Sequence, residues 1–172
     1  PPAFSVPGGT FLDSLAVELS STVGGSEIRY TTDRSVPSES STLYTGAIPI
    51  TGTTQIRAQA LDPQEKHIAS AVVSQTYVAL NSDLLEFSSN IPILVLDNFG
   101  AGTPGRSFQN AFLAVFEPDE TGRSRLTNPA EVTSRMGLQI QGNSSATFPK
   151  PGYRVELRDE ADQDRAIELI GL

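Results

Sequence analysis

Cysteine is absent from this 172-residue chain, which removes disulfides, thiol catalysis and zinc–thiolate sites together. Tryptophan is absent as well, and with it the broadest aromatic platform a protein can offer a sugar ring. There is one histidine, His67, beside Lys66 in the turn-like segment DPQEKH. It has no Ser, Cys or carboxylate partner at motif spacing, so it builds no catalytic triad and reads as a solvated turn residue. Long apolar runs are missing: none approaches the ~20 residues needed to span a bilayer. Positive charge is scarce, with 12 Lys and Arg against 20 Asp and Glu, a net charge of −8. Residues 1–80 hold four basic and seven acidic groups (net −3), and residues 81–172 hold eight and thirteen (net −5). Neither half has the basic face that draws nucleic acid by counterion release, so nucleic acid is not an expected partner. The chain opens on Pro1-Pro2, without an initiator Met or the charged start and apolar h-region of a signal peptide. It stops in an apolar segment at Leu172. Both ends read as those of a piece cut from a longer protein.

What is present favours strands. Gly and Pro are plentiful, at 14 and 12, and Ser, Thr and Val are common. In residues 1–80 short alternating runs follow one another: Leu15, Val17 and Leu19; Ile28 and Tyr30 with Arg29 and Thr31 opposite; Leu43-Tyr44; Ile48 to Ile50; Ile56, Ala58 and Ala60 against Arg57 and Gln59; and Val73 with Tyr77 on one face of 70–79. Turn residues separate them, among them Pro7-Gly8-Gly9, Gly24-Gly25, Gly46, Gly52 and Asp62-Pro63. Strands at this spacing without intervening helix predict a small antiparallel sandwich.

The residues in this half also carry a family likeness. Pro7-Gly8-Gly9-Thr10-Phe11, Ile28-Arg29-Tyr30-Thr31-Thr32-Asp33, Pro37-Ser38, Leu43-Tyr44-Thr45-Gly46 and Ile56-Arg57-Ala58 fall in order. The series resembles the chitobiase/β-hexosaminidase C-terminal-type domain, related to fibronectin-type-III-associated modules, over nearly all of 1–80. The family usually follows its Tyr-Thr-Thr-Asp core with Gly, where Arg34 stands here. The resemblance implies an immunoglobulin-like accessory domain, of a kind that recurs in secreted multidomain bacterial proteins and is not a catalytic unit. As a carbohydrate-binding module it would have Tyr44 as its one exposed platform, since Tyr30 and Tyr77 lie in phase with core residues.

Residues 80–90, LNSDLLEFSSN, place capping residues ahead of Leu84, Leu85 and Phe87 and predict a short helix or helical turn at a domain boundary. Residues 91–97, IPILVLD, read as a buried strand, and 110–117, NAFLAVFE, as another that is apolar on both faces. Between them GAGTPG, residues 100–105, matches G-x-G-x-x-G. A dinucleotide fingerprint needs a helix after it, and SFQNAFLAVFE reads as strand. A kinase-like glycine loop does join two strands, but the V-A-I-K lysine is missing from the second, so a plain surface turn is the simpler reading. Asp159, Glu160, Asp162 and Asp164 miss the D-x-D-x-D-G spacing of a calcium loop and read as a solvated turn. Residues 166–172 read as the start of a helix or turn.

The most specific text is residues 137–157, GLQIQGNSSATFPKPGYRVEL. Leu138 and Ile140 alternate with Gln139 and Gln141, and Tyr153, Val155 and Leu157 alternate with Arg154 and Glu156: two half-buried strands. Residues 131–136 could pair with this stretch. The connection from Gly142 to Gly152 is long for a hairpin, where about 2–5 residues is usual. Backbone N–H groups, the hydroxyls of Ser144, Ser145 and Thr147, the Asn143 amide and a lone Lys150 between Pro149 and Pro151 suit an anion such as phosphate. The alternative is an ordered loop that closes over the sheet with Phe148 as its plug.

Ser89 to Asp97, Gly137 to Ser145, Phe148-Pro149-Lys150, Tyr153 to Leu157 and Leu169 to Leu172 together resemble the opening of the spore-coat-protein-H (CotH) kinase family. The family's Arg before Gly is Gln141 here and its second Lys is Pro151, so the loop carries less positive charge. That family resembles atypical protein kinases, and the likeness implies Asn143, Ser144, Ser145 and Lys150 as phosphate contacts, with ATP and magnesium bound only in an intact parent protein. The text resembling its later, catalytic half is not in this chain.

The expectation is a mainly all-β chain: an immunoglobulin-like antiparallel β-sandwich at 1–80, followed at 81–172 by a second β-rich segment with little helix. Its expected role is a non-catalytic accessory or scaffold fragment of a larger exported bacterial protein, secreted or at the cell surface. No catalytic residue, metal ligand or resident cofactor is assigned. Expected partners are other domains of the parent and cell-surface or cell-wall components. The alternatives are a nucleotide-binding lobe and a carbohydrate-binding module. An unfinished sheet in the second segment would expose apolar surface and favour docking or self-association.

Overall fold

A computed structural model describes residues 1–62, 64 and 68–167, leaving His67, Lys66 and Leu169 to Leu172 outside the described residues. The chain divides into two compact units, Pro1–Ser82 and Asp83–Leu172. Both are built from strands, and among the described residues no helix is long and apolar enough to cross a membrane.

Among the described residues the first unit holds nine strands: β1 (Ala3–Phe4), β2 (Gly9–Phe11), β3 (Leu15–Val17), β4 (Leu19–Ser20), β5 (Glu27–Thr31), β6 (Thr42–Leu43), β7 (Ile48–Ile50), β8 (Thr54–Leu61) and β9 (Val73–Ala79). One sheet has the order β2-β9-β8-β5-β6, antiparallel except for the parallel pair β2-β9. The second layer is made of two ladders, β1-β4 and β3-β7. Here the run expected as one strand from Leu15 to Leu19 is interrupted at Glu18, so its first half pairs with β7 and its second with β1. Val17, Leu19, Ile48 and Ile50 from this layer meet Ile28, Ile56, Ala58 and Tyr77 from the five-stranded sheet in one buried cluster. The alternation in the sequence puts these residues on inward faces, and burying them supplies the main driving force for the sandwich. The buried Tyr77 phenol donates to the Val6 carbonyl at 2.7 Å, which ties the start of the chain to the sheet. Burial in this core pushes the Tyr77 pKa up.

Arg57 behaves differently from its alternation. It lies on the face away from the core, opposite Thr31, yet it is fully buried. Its Nη1 donates to the Arg34 carbonyl at 3.0 Å, so the chain after β5 folds over it.

Among the described residues the second unit has six strands: β10 (Ser88–Ser89), β11 (Ile93–Asp97), β12 (Gln109–Phe116), β13 (Ser124–Arg125), β14 (Val132–Gln141) and β15 (Gly152–Arg158). An antiparallel sheet runs β11-β12-β14-β15, and β10 pairs separately with β13. The helix expected near residues 80–90 is a single 3-10 turn, Ser82–Leu84, because Ser88 and Ser89 are drawn into a strand held by Arg123, whose Nη2 donates to the Ser88 carbonyl at 2.7 Å. Residues 131–136 do not form a separate strand; β14 runs straight through Met136 into Leu138 and Ile140.

The register sets which residues share a face. Leu96 lies opposite Leu113 and Leu94 opposite Val115; Ala111 lies opposite Met136, Met136 opposite Leu157, and Leu138 opposite Val155. These side chains form one apolar face. Its centre, Ala111, Leu113, Val115, Met136 and Leu138, is buried. Its margins are not. β11 was expected to be buried, but it is an edge strand and leaves Leu94 51% and Leu96 46% exposed. At the other edge Tyr153 and Val155 are also exposed, and only Leu157 packs against the core.

Candidate functional site

The two segments singled out as loop candidates in the second unit meet. The connection from β11 to β12 contains 100–105, and the connection from β14 to β15 spans 142–151. Ile140 N donates to the Gly105 carbonyl at 2.8 Å, and Arg106 Nη1 to the Gly142 carbonyl at 3.0 Å. The next element after the glycine loop is strand β12, which begins at Gln109, so the helix required by a dinucleotide fingerprint is not there. The loop is a set of turns: Phe99 N donates to Asp97 Oδ1 at 2.6 Å, and Asn98 Nδ2 to the Gly102 carbonyl at 2.6 Å.

Gly137 opens the adjoining face of the sheet. A Cβ there would lie 2.7 Å from Arg158 Nη2 and 2.9 Å from the Phe108 ring. The missing side chain lets the Arg158 guanidinium cross the strand to Phe108. Arg154 and Arg158 both stand 5.5 Å from the centre of that ring, a cation–π arrangement.

Asn143, Ser144 and Lys150, nominated as phosphate contacts, are all exposed. A 3-10 turn, Ser144–Thr147, follows Gly142, whose φ of 91° swings the chain out of β14. The Ser145 side chain lies outside the described residues. Lys150 has no hydrogen bond or ion pair among the described residues. Phe148 is not a plug: it is 59% exposed, because the chain leaves the sheet at Gly142 instead of folding back across it.

The acidic segment after β15 is a closed turn. Asp159 Oδ1 accepts from Ala161 N and Gln163 N at 2.8 and 2.9 Å, and Asp162 pairs with the buried Arg135. Among the described residues no three His, Cys, Asp or Glu side chains gather to hold a metal ion.

In the first unit Tyr44 is half-buried and packed against the core with Tyr30, so it is not the exposed platform expected of it. The Tyr44 N–H donates to the Ile28 carbonyl at 2.8 Å, continuing the β5-β6 pairing and drawing the ring inward.

A cleft of about 350 Å³ lies where β5 and β6 part. These strands pair only at Arg29–Leu43 and Tyr30–Thr42. Beyond that, Thr31, Thr32, Asp33 and Ser35 form one wall and Ser40, Ser41 and Thr42 the other, with Tyr30 at the base of the pairing. Internal bonds fix the walls. Thr31 Oγ1 donates to the Ser35 carbonyl at 2.7 Å, and Ser35 N and Oγ donate to Asp33 Oδ1 at 3.0 and 2.6 Å. Ser38 N donates to Ser41 Oγ at 3.0 Å, and Arg29 Nη1 to the Ser41 carbonyl at 3.2 Å. The two bonds from Ser35 hold the Asp33 carboxyl below its usual pKa. Residue-by-residue reading did not assign this cleft. Its signals were present as two hydroxyl-rich runs, Tyr30-Thr31-Thr32 and Ser38 to Thr42, but only the folded pairing sets them face to face.

With the geometry in place, the comparisons with known proteins bear on the first unit. Residues 6–74 match the family model of the chitobiase/beta-hexosaminidase C-terminal domain. No curated protein and no solved structure matches the chain.

Proposed function

We propose that this chain is a non-catalytic accessory and scaffold part of a larger exported bacterial protein, with a carbohydrate-related role in its first unit. The observation that carries the reading is the match of residues 6–74 to the C-terminal domain of chitobiase and beta-hexosaminidase, over a sandwich with one buried apolar core. Other domains of the parent and cell-surface or cell-wall components are the partners this reading implies, with a secreted or surface location. The second unit is read as the opening segment of a CotH-like domain on its own motif residues, Gly137 to Ser145 and Phe148 to Lys150.

A nucleotide-binding lobe is the second reading. It is favoured by one observation: the glycine loop and the Asn143–Lys150 segment adjoin through Ile140–Gly105 and Arg106–Gly142. Backbone donors, Asn143, Ser144 and Lys150 fit the needs of a phosphate, whereas a magnesium site would need carboxylates that the described residues do not bring together. ATP would supply a transferable phosphoryl group; this chain's share would be to hold its phosphates.

Thermal unfolding with and without millimolar ATP and magnesium, beside Lys150→Ala, separates the two. A ligand of the native state raises the midpoint by mass action. The accessory reading expects no shift. A shift abolished by Lys150→Ala replaces it with the nucleotide lobe, and a shift kept by the variant also overturns it and places the nucleotide elsewhere.

A further inference from the structure

We propose that the cleft between β5 and β6 is a binding site for a neutral oligosaccharide. The proposal rests on the accessory reading of the first unit and names the ligand class that reading leaves open.

Every residue around the cleft carries a hydroxyl except Asp33, which carries a carboxylate. Its polar groups divide into two sets. Those of Thr31, Ser35, Ser40 and Ser41 are engaged in shaping the walls. The hydroxyls of Thr32 and Thr42 hold no hydrogen bond within the described residues, the bonds from Ser35 reach only the Oδ1 of Asp33, and all three residues are exposed. A rigid wall with unspent donors and acceptors has its ordering cost met by the fold before a ligand arrives.

Charge then narrows the ligand. Asp33 stays ionised through the neutral range, and no Lys or Arg lines the cleft, so an anion would meet repulsion. One carboxylate falls short of the several hard oxygen ligands a divalent cation takes. An apolar ligand would strand the unspent polar groups without water. A polyol meets each condition. Adjacent hydroxyls of a sugar can donate to Asp33 Oδ2 and exchange hydrogen bonds with Thr32 and Thr42. The volume, about 350 Å³, sits at the lower end of small-ligand sites.

The test is a titration of the full chain, followed through its backbone amide spectrum, with four soluble probes: chito-, cello-, xylo- and manno-tetraose. The expected result is saturable movement of amides between Thr31 and Thr42 with at least one probe. Asp33→Asn keeps an oxygen acceptor for Ser35 and replaces only the unspent oxygen; it should weaken binding ~tenfold, as losing one charge-assisted hydrogen bond does. Thr42→Val is nearly isosteric and touches no internal bond, so its weaker binding would be free of any folding defect. Silence from these amides with all four probes at high millimolar concentration overturns the proposal. So does saturable binding that neither variant weakens. Either failure leaves the accessory reading standing, because that reading answers to the ATP series.

Discussion

The two units use the same material to different ends. In the first, two layers face each other and the apolar residues of both converge on Ile56 and Tyr77. In the second, one apolar face spreads over four strands, closed at Val115 and Met136 and open at Leu94, Leu96, Tyr153 and Val155. Leucine and valine alternate in both. What differs at the margins is whether a strand has neighbours on each side: β11 and β15 are the edges of their sheet.

The largest effects should separate a closed core from an open margin. Ile56→Ala removes buried methylenes from the sandwich and should cost about 2–5 kcal/mol. Leu96→Ala removes a side chain already half in water and should cost less than about 1 kcal/mol. Urea denaturation of the two variants checks this. An equal loss would mean that the β11 margin is covered in solution and would break the contrast.

Turn chemistry gives a finer comparison. Each unit builds a turn on an aspartate. Asp33 Oδ1 accepts from Ser35 N and Oγ; Asp119 Oδ1 accepts from Thr121 N at 2.8 Å and from Thr121 Oγ1. The first unit then places Arg34 at φ 73°, and the second places Gly122 at φ 73°. A left-handed backbone costs a side-chain-bearing residue about 1–2 kcal/mol. Arg34→Gly should therefore be neutral to stabilising by up to about 1 kcal/mol, the relief being partly offset by glycine's entropy. The Arg34 carbonyl that receives Arg57 survives the change. Gly122→Ala should destabilise by about 1 kcal/mol, with open space around its Cβ leaving backbone strain as the cause. Melting curves that move in the same direction for both would refute this account of the turns.

The smallest effect is electrostatic. Hydrogen bonds from Thr121, Asn128 and Arg123 lower the Asp119 pKa from 3.8 to about 2. A carboxylate depressed in the fold adds stability above its unfolded pKa and loses it as pH falls through the folded value. Carboxyl NMR should thus show Asp119 titrating at about 2, with the Thr121 and Arg123 amides moving at the same midpoint. Titration near 3.8 would mean that the turn is not held in solution. Asp33 should also titrate below 3.8, through the bonds from Ser35.

Much of the strand content was legible because alternation is a local property. Ile28 to Thr31, Ile48 to Ile50, Ile56 to Ala60 and Leu138 to Ile140 carry their period within a few residues, and a period of two is enough to place a residue on one side of a sheet. Composition set the β-rich class in the same way. Rank within a sheet is not local. Nothing in IPILVLD says that β11 is an edge, so its exposed leucines emerged only from the order β11-β12-β14-β15. Arg57 lies in the polar phase of its strand and is buried by a turn more than twenty residues earlier in the chain. Tyr44 reads as a free aromatic until its backbone bond to Ile28 turns it toward the core. The loops at Gly105 and Gly142 are neighbours, and Thr32 faces Thr42 across a cleft, only because strand pairing brings distant residues together. Residue type and period determined the elements and their faces; long-range hydrogen bonding and burial decided which faces meet water and which polar groups remain unspent.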